Sequence, residues 1–195
     1  MKTAYYTANV GGYDPNIING AVLITDAPVK GNPRFKSRWI KLQPHKLFPD
    51  ADYWVYIDAN LSLRISVKEL IKKYGGNFIS ARPHPTRKCI YDEILEVSRL
   101  GFDSPTNLEK LAKKIIKDEF PRDYGLWEHG LLIMKNTPET IKFLDEWWSF
   151  VKQYSRRDQL SGAYILWKNN NKFKPIPRNI INYNAHSKTR YNGGF

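Results

Sequence analysis

Three short apolar runs without polar alternation constrain the fold more than any other feature of this chain. They are Ala4-Tyr5-Tyr6-Thr7-Ala8, Ala21-Val22-Leu23-Ile24 and Tyr53-Trp54-Val55-Tyr56-Ile57. The first leads into a turn-rich stretch with Gly11-Gly12 and Asp14-Pro15, the second ends at Thr25-Asp26, and the third ends at Asp58. A strand that is apolar at successive positions has to be covered on both faces, as in a parallel α/β sheet. Gly130-Leu131-Leu132-Ile133-Met134 reads as a late strand.

Helix signals lie between and after these runs. Ser66-Val67-Lys68-Glu69 has the form of a capping box, with Val67, Leu70, Ile71 and Tyr74 recurring at helical spacing. Thr106-Asn107-Leu108-Glu109 reads as a second box, leading into Leu108, Leu111, Ala112, Ile115 and Ile116. Thr137-Pro138 pairs a good N-cap with proline at the first helical position, and Ile141, Leu144, Trp148 and Val151 form the stripe that follows. The alternation predicts an α/β sandwich with a mostly parallel central sheet. With 195 residues, the chain is expected to be a single domain, residues 1–195. Its end, Asn169 to Phe195, has no acid and is expected to be an irregular basic tail packing over the site.

Charge and cysteine content narrow the function classes. A formal net charge of +12 suits anionic partners: phosphate-bearing small molecules, acidic membrane surfaces, or nucleic acid. The lone Cys89 excludes an intramolecular disulfide and a multi-thiolate metal site. No apolar run approaches the roughly 18–20 residues of a membrane span, and the first residues lack a signal peptide's apolar stretch. A cytoplasmic protein is the default expectation.

In open α/β sheets, ligands bind beyond the carboxyl ends of the strands. Asp26 and Asp58 both stand at such ends, and Asn60 follows Asp58 by two positions. One carboxylate and one amide oxygen there can converge on a hard cation such as Mg²⁺ or Mn²⁺. An acid after a strand is also a common turn former, so that reading stays open. Arg38 and Lys41 are spaced to share a helix face, either toward a diphosphate or toward solvent.

Several blocks in fixed order carry a resemblance. They are Tyr6-Thr7-Ala8-Asn9-Val10-Gly11-Gly12-Tyr13-Asp14; Arg38-Trp39-Ile40-Lys41 with Pro44-His45-Lys46-Leu47-Phe48-Pro49; and Tyr56-Ile57-Asp58-Ala59-Asn60. Further along come His84-Pro85-Thr86-Arg87-Lys88-Cys89-Ile90-Tyr91-Asp92-Glu93, Gly125-Leu126-Trp127-Glu128, and Trp147-Trp148 followed by Tyr154-Ser155-Arg156-Arg157-Asp158-Gln159-Leu160-Ser161. Together they resemble a small glycosyltransferase-like family, long catalogued as a domain of unknown function, that includes a plant mucilage glycosyltransferase. The resemblance implies the glycosyltransferase-A fold, a Rossmann-like α/β/α sandwich that binds a nucleotide sugar. Two departures stand out: Ala59 replaces the family's usual Gly, and Asn60 stands where the glycosyltransferase-A pattern more often has a second Asp.

The resemblance also implies roles. Thr7, Ala8 and Asp26 would contact the nucleoside, although Thr7 and Ala8 also suit plain strand packing. Arg38 and Lys41 would meet the diphosphate. Asp58 and Asn60, with His186 from the chain end, would hold Mn²⁺ or Mg²⁺, and Lys188 would close over the phosphates. His84, Arg87 and Trp127 would lie near the donor sugar or acceptor, and Arg157 and Gln159 flank the candidate catalytic residue Asp158. An inverting reaction needs a carboxylate to take the acceptor's proton, for which Asp158 and Glu128 are the candidates. Ser155-Arg156-Arg157-Asp158 fits an acidic capping box equally well.

The expected activity is metal-assisted transfer of a sugar, a hexose or related unit, from a UDP- or GDP-sugar to a hydroxyl of a glycan or glycoconjugate. Contact with an acidic membrane surface is compatible with the charge, and this reading needs no nucleic acid. A metal-dependent hydrolase and a basic nucleic-acid-binding module are the alternatives.

Overall fold

Each of the three apolar runs forms a strand; the first and third pack on both faces, whereas the second lies at the sheet edge with Val22 half exposed. A computed structural model describes residues 1–14 and 20–183. In chain order the elements are β1 (Thr3–Ala8), β2 (Val22–Ile24), α1 (Pro33–Leu42), α2 (Pro44–Leu47), β3 (Tyr53–Ile57), β4 (Leu61–Leu63), α3 (Val67–Tyr74) and β5 (Ile79–Pro83). They continue with α4 (Ile90–Arg99), α5 (Pro105–Lys117), β6 (Trp127–Lys135), α6 (Pro138–Gln153), α7 (Asp158–Lys168), β7 (Lys174–Pro175), a 3₁₀ turn (Arg178–Ile180) and β8 (Ile181–Tyr183).

Six strands form one sheet in the order β2-β1-β3-β6-β5-β7. The β1–β2, β1–β3 and β5–β7 pairs are parallel, whereas β6 runs antiparallel to both β3 and β5. The sheet is therefore mostly parallel with one reversed strand. It sits at the centre of an α/β/α sandwich, with helices packed on both of its faces. Along β3, Trp54 and Tyr56 pack with α1, α6 and α7 residues such as Ile40, Leu144 and Leu160. Val55 and Ile57 face the other way, onto Leu70 and Ile71 of α3 and onto Ile176, Ile180 and Ile181. Burial on two sides is why the run shows no alternation.

The caps explain where the helices begin. Ser66 Oγ accepts from the Glu69 N–H at the start of α3, and Thr137 Oγ1 accepts from the Thr140 N–H at the start of α6. α5 starts two residues before the expected box: Ser104 is the cap, accepting from the Asn107 N–H, and Pro105 takes the first helical position. The Ser155 box is also corrected. Ser155 Oγ donates to Asp103 at 2.6 Å instead of capping a helix, and α7 begins at Asp158.

The tail departs from expectation as well. Through Tyr183 it is regular, because Phe173, Ile176, Ile180 and Ile181 are buried and so hold β7, the 3₁₀ turn and β8 in place. β8 pairs with β4 in a separate two-stranded antiparallel sheet. Among the described residues no helix is long and apolar enough to cross a membrane.

Candidate active site

The carboxyl ends of β1, β3 and β5 open, with the start of the reversed β6, onto a cleft of about 580 Å³. That is within the range of ligand-sized pockets, roughly 300–1,000 Å³. Its walls come from the turn after β1, from α1, from Asp58 to Leu61 after β3, from Arg82, from Glu128 to Gly130, and from the first turn of α7. Gly11, at φ +78°, allows the turn after β1 to fold back toward α1, and Asn9 pins that loop by hydrogen bonds with the backbone of Asp14.

Arg34, Arg38 and Lys41 lie along one stripe of α1, and all three line the cleft. Lys41 is only 2% exposed and is held on several sides. Its ammonium donates to Asp158 Oδ2 at 3.0 Å, lies 3.3 Å from Asp58 Oδ1, and sits 4.7 Å from the centre of the Tyr56 ring. Arg38 Nε is 2.9 Å from Asp158 Oδ1. The carboxylates hold Arg38 and Lys41 in fixed positions, so their donors are preorganised on the wall before an anion binds.

Asp158, expected to be a proton acceptor, is surrounded by cations. Its side chain is 5% exposed, and both oxygens are taken by cations. Burial alone would raise its pKa, but Arg38 and Lys41 outweigh that and hold the carboxyl well below the usual carboxylate range. A carboxylate so strongly stabilised as the anion is a poor base. Its two oxygens hold Arg38 and Lys41 in place. Arg38 shows the reverse: burial works against its charge, yet Asp158 and Asp58 raise its pKa.

Asp58 is more open, with 38% of its side chain exposed. Tyr56 donates to its Oδ1 at 2.8 Å, while no described residue engages Oδ2. Gly130 keeps the space beside Oδ2 clear, since a Cβ there would stand 3.0 Å from it. Asn60 lines the same wall. Among the described residues no three His, Cys, Asp or Glu side chains group to hold a metal. Asp58 and Asn60 suit a cation that takes few protein ligands and fills its shell with water and phosphate, which is how Mg²⁺ is usually bound.

Glu128 and His129 complete the far wall. Glu128 Oε2 lies 2.9 Å from both Arg82 Nη2 and Arg178 Nη1. His129 is buried against Trp147, with neither ring nitrogen hydrogen-bonded. Burial pushes its pKa down to about 3, against the pull of Asp158. It is a neutral imidazole at physiological pH.

Of the expected site residues, the cleft brings together Ala8, Arg38, Lys41, Asp58, Asn60, Glu128, Arg157, Asp158 and Gln159. Arg157 donates to Gln159 at 3.1 Å beside the start of α7. Five others are not on its wall. Thr7 is buried within β1, and exposed Asp26 is tied to Lys36 at 2.5 Å. His84 Nδ1 accepts from the Arg87 N–H, the Arg87 side chain pairs with Glu93, and Trp127 packs edge-on to Phe173. His186 and Lys188 lie outside the described residues. Arg34, Arg82, His129 and Tyr183 line the cleft and were not anticipated. A charged or imidazole side chain within an otherwise apolar strand, as at Arg82 and His129, was the signal available.

Residues 18–181 match the family described as TOD1/MUCI70, glycosyltransferase-like domain. A comparison with curated proteins gave no match. Among solved structures, the chain is similar to the apo form of the bifunctional glycosyltransferase WbbM, with 15% identity and a TM-score of 0.47 over 80% of this chain and 26% of that one. It is similar to a glycosyltransferase involved in glycosylation of the major capsid of PBCV-1, with 10% identity and a TM-score of 0.45 over 78% and 68%. It is also similar to the apo form of mouse xyloside xylosyltransferase 1, with 10% identity and a TM-score of 0.46 over 77% and 54%. The chain thus spans about a quarter of the first of these proteins and about half of the third.

Proposed function

Because the chain belongs to the TOD1/MUCI70 glycosyltransferase-like family, we propose that its cleft binds a nucleoside diphosphate sugar, UDP- or GDP-linked, and transfers the sugar to a hydroxyl of a glycan or glycoconjugate. The observation that carries this reading is the stripe of Arg34, Arg38 and Lys41 on the cleft wall, facing Asp58 at the end of β3. In the proposed complex Arg38 and Lys41 take the diphosphate, already oriented by Asp158, so the charge developing on the leaving nucleotide meets fixed cations in a water-poor site. Tyr56 holds Asp58 by its hydroxyl. If Mn²⁺ or Mg²⁺ is taken up, Asp58 and Asn60 hold it, and it adds positive charge beside the phosphates. Glu128, 19% exposed, is the proposed acceptor of the hydroxyl proton: both guanidiniums meet its Oε2, and Oε1 has no partner among the described residues, whereas both oxygens of Asp158 are taken.

Thermal unfolding with UDP or GDP, each with and without Mn²⁺, tests the proposal. A ligand at about 100 times its Kd stabilises a protein by roughly 2.7 kcal/mol, so one of the nucleotides is expected to raise the melting temperature by several degrees. Asp58→Ala is expected to lose the increment that Mn²⁺ adds. If no nucleotide stabilises the chain while an oligonucleotide binds with a steep salt dependence, the charge of +12 serves nucleic acid and the proposal fails. Release of free sugar without an acceptor would favour a hydrolase.

A further inference from the structure

Arg82 stands at the outer end of the cleft, and the transfer reaction above uses it only as a neighbour of Glu128. Its side chain is 2% exposed and lines the cleft. Nη2 is satisfied, donating to the Tyr183 hydroxyl at 2.8 Å and lying 2.9 Å from Glu128 Oε2. Nε and Nη1, which carry three of the five N–H groups of a guanidinium, meet no acceptor among the described residues. Buried donors are almost always paired, so an orphaned pair on a cleft wall calls for a partner beyond the described residues, and its place on the cleft suits a ligand.

Two further observations point the same way. The register between β5 and β6 shifts between Ala81 and Arg82, and irregularities of this kind re-aim side chains next to binding sites. Glu128, the carboxylate paired with Arg82, is shared with Arg178 at 2.9 Å. Two guanidiniums on one carboxylate leave one positive charge over. That surplus matches a monoanion; a phosphomonoester, with a charge near −2 at neutral pH, overshoots it.

We propose that Arg82, with Arg178 and Tyr183 beside it, forms a subsite for the carboxylate of a uronic-acid sugar, so that one of the two sugars handled in the cleft is acidic. The inference rests on the transferase reading and specifies its substrate class. The carboxylate can belong to the donor sugar or to the acceptor, and the two sources separate experimentally.

Calorimetry on the full chain at pH 7 would compare UDP alone, then UDP-glucuronate against UDP-glucose. With UDP present it would also compare digalacturonate against its methyl ester. The acidic member of one pair is expected to bind about tenfold tighter or more, as hydrogen bonds to a charged group do. The pair that shows the preference identifies the source. Arg82→Gln is expected to abolish the preference. Arg178→Gln alters a side chain that is 42% exposed, gives Glu128 wholly to Arg82, and is expected to reduce the preference without threatening the fold. Equal binding within both pairs, with UDP itself bound, overturns the subsite alone. Where GDP binds in place of UDP, GDP-mannuronate against GDP-mannose takes the place of the first pair; failure of both nucleotides to bind overturns the transferase reading and this one with it. A preference that survives Arg82→Gln overturns the assignment to Arg82. If Arg82→Gln does not fold, the wild-type pairs and Arg178→Gln decide.

Discussion

Replacing Asp158 with Asn separates an architectural carboxylate from a catalytic one. The substitution keeps the shape and removes one charge from between Arg38 and Lys41, which lie 2.9 and 3.0 Å from its oxygens. Breaking a buried ion pair from one side typically costs about 3–5 kcal/mol. Lys41 keeps Asp58 at 3.3 Å, which places the expected loss near the bottom of that range, about 3 kcal/mol. For a chain of this length each kcal/mol moves the melting temperature by roughly 2–4 °C, so a fall of about 6–12 °C is expected.

Urea unfolding followed by circular dichroism at pH 7 reads the loss. Pyrophosphate is expected to stabilise Asp158→Asn more than the wild type, because it supplies the missing negative charge. The pH dependence has a definite sign. The native carboxyl titrates below its ordinary value of about 3.9, so its contribution is complete above about pH 4 and shrinks as the pH falls. The gap between the two proteins should therefore close in acid. A variant as stable as the wild type but slower by about 10²–10⁴ in turnover would refute this reasoning and return Asp158 to the role of general base.

Two other outcomes are expected. His129, with a native pKa of about 3 against an ordinary value of about 6.5, should show no ring titration by NMR between pH 5 and 8. Its contribution to stability is present above about pH 6.5 and is lost toward pH 3, so His129→Gln should flatten the acid side of the stability profile; a native titration midpoint above pH 5 contradicts this. Ser104→Ala should cost about 1 kcal/mol in urea unfolding by removing the α5 cap, whereas Thr106→Ala should cost less than half as much; the opposite ranking would restore the helix start expected from sequence.

The strands at Thr3–Ala8 and Tyr53–Ile57 were legible because burial on both faces leaves a local mark, an unbroken apolar run; Val22–Ile24 carries the same mark at the sheet edge with Val22 half exposed. β5 went unread because Ile79-Ser80-Ala81-Arg82-Pro83 places a serine and an arginine inside the sheet; Ser80 donates to the Tyr74 carbonyl, while Arg82 finds Tyr183 101 residues on and leaves two nitrogens without a partner among the described residues. Asp58, Arg38 and Lys41 were picked out by their place at a strand end and by their helical spacing. Asp26 stands at a strand end too, yet its carboxylate is engaged by Lys36 and it stays off the cleft wall. Spacing along the chain cannot separate these cases, since it does not say which side of the edge strand β2 faces the ligand.

The sequence by itself determined the central strands of the sheet, the capped helices α3 and α6 and the spacing of Arg38 and Lys41 on one helix face, because these depend on residue patterns within a dozen neighbouring positions. Only the tertiary structure decided what the charges do. Asp158 lies 117 residues from Lys41, and Arg82 lies 101 from Tyr183. Whether a carboxylate is a base or a brace, and whether a guanidinium is satisfied or open to a ligand, depends on desolvation and on neighbours within a few ångströms. Those neighbours meet only when the strands pair and α7 docks against them.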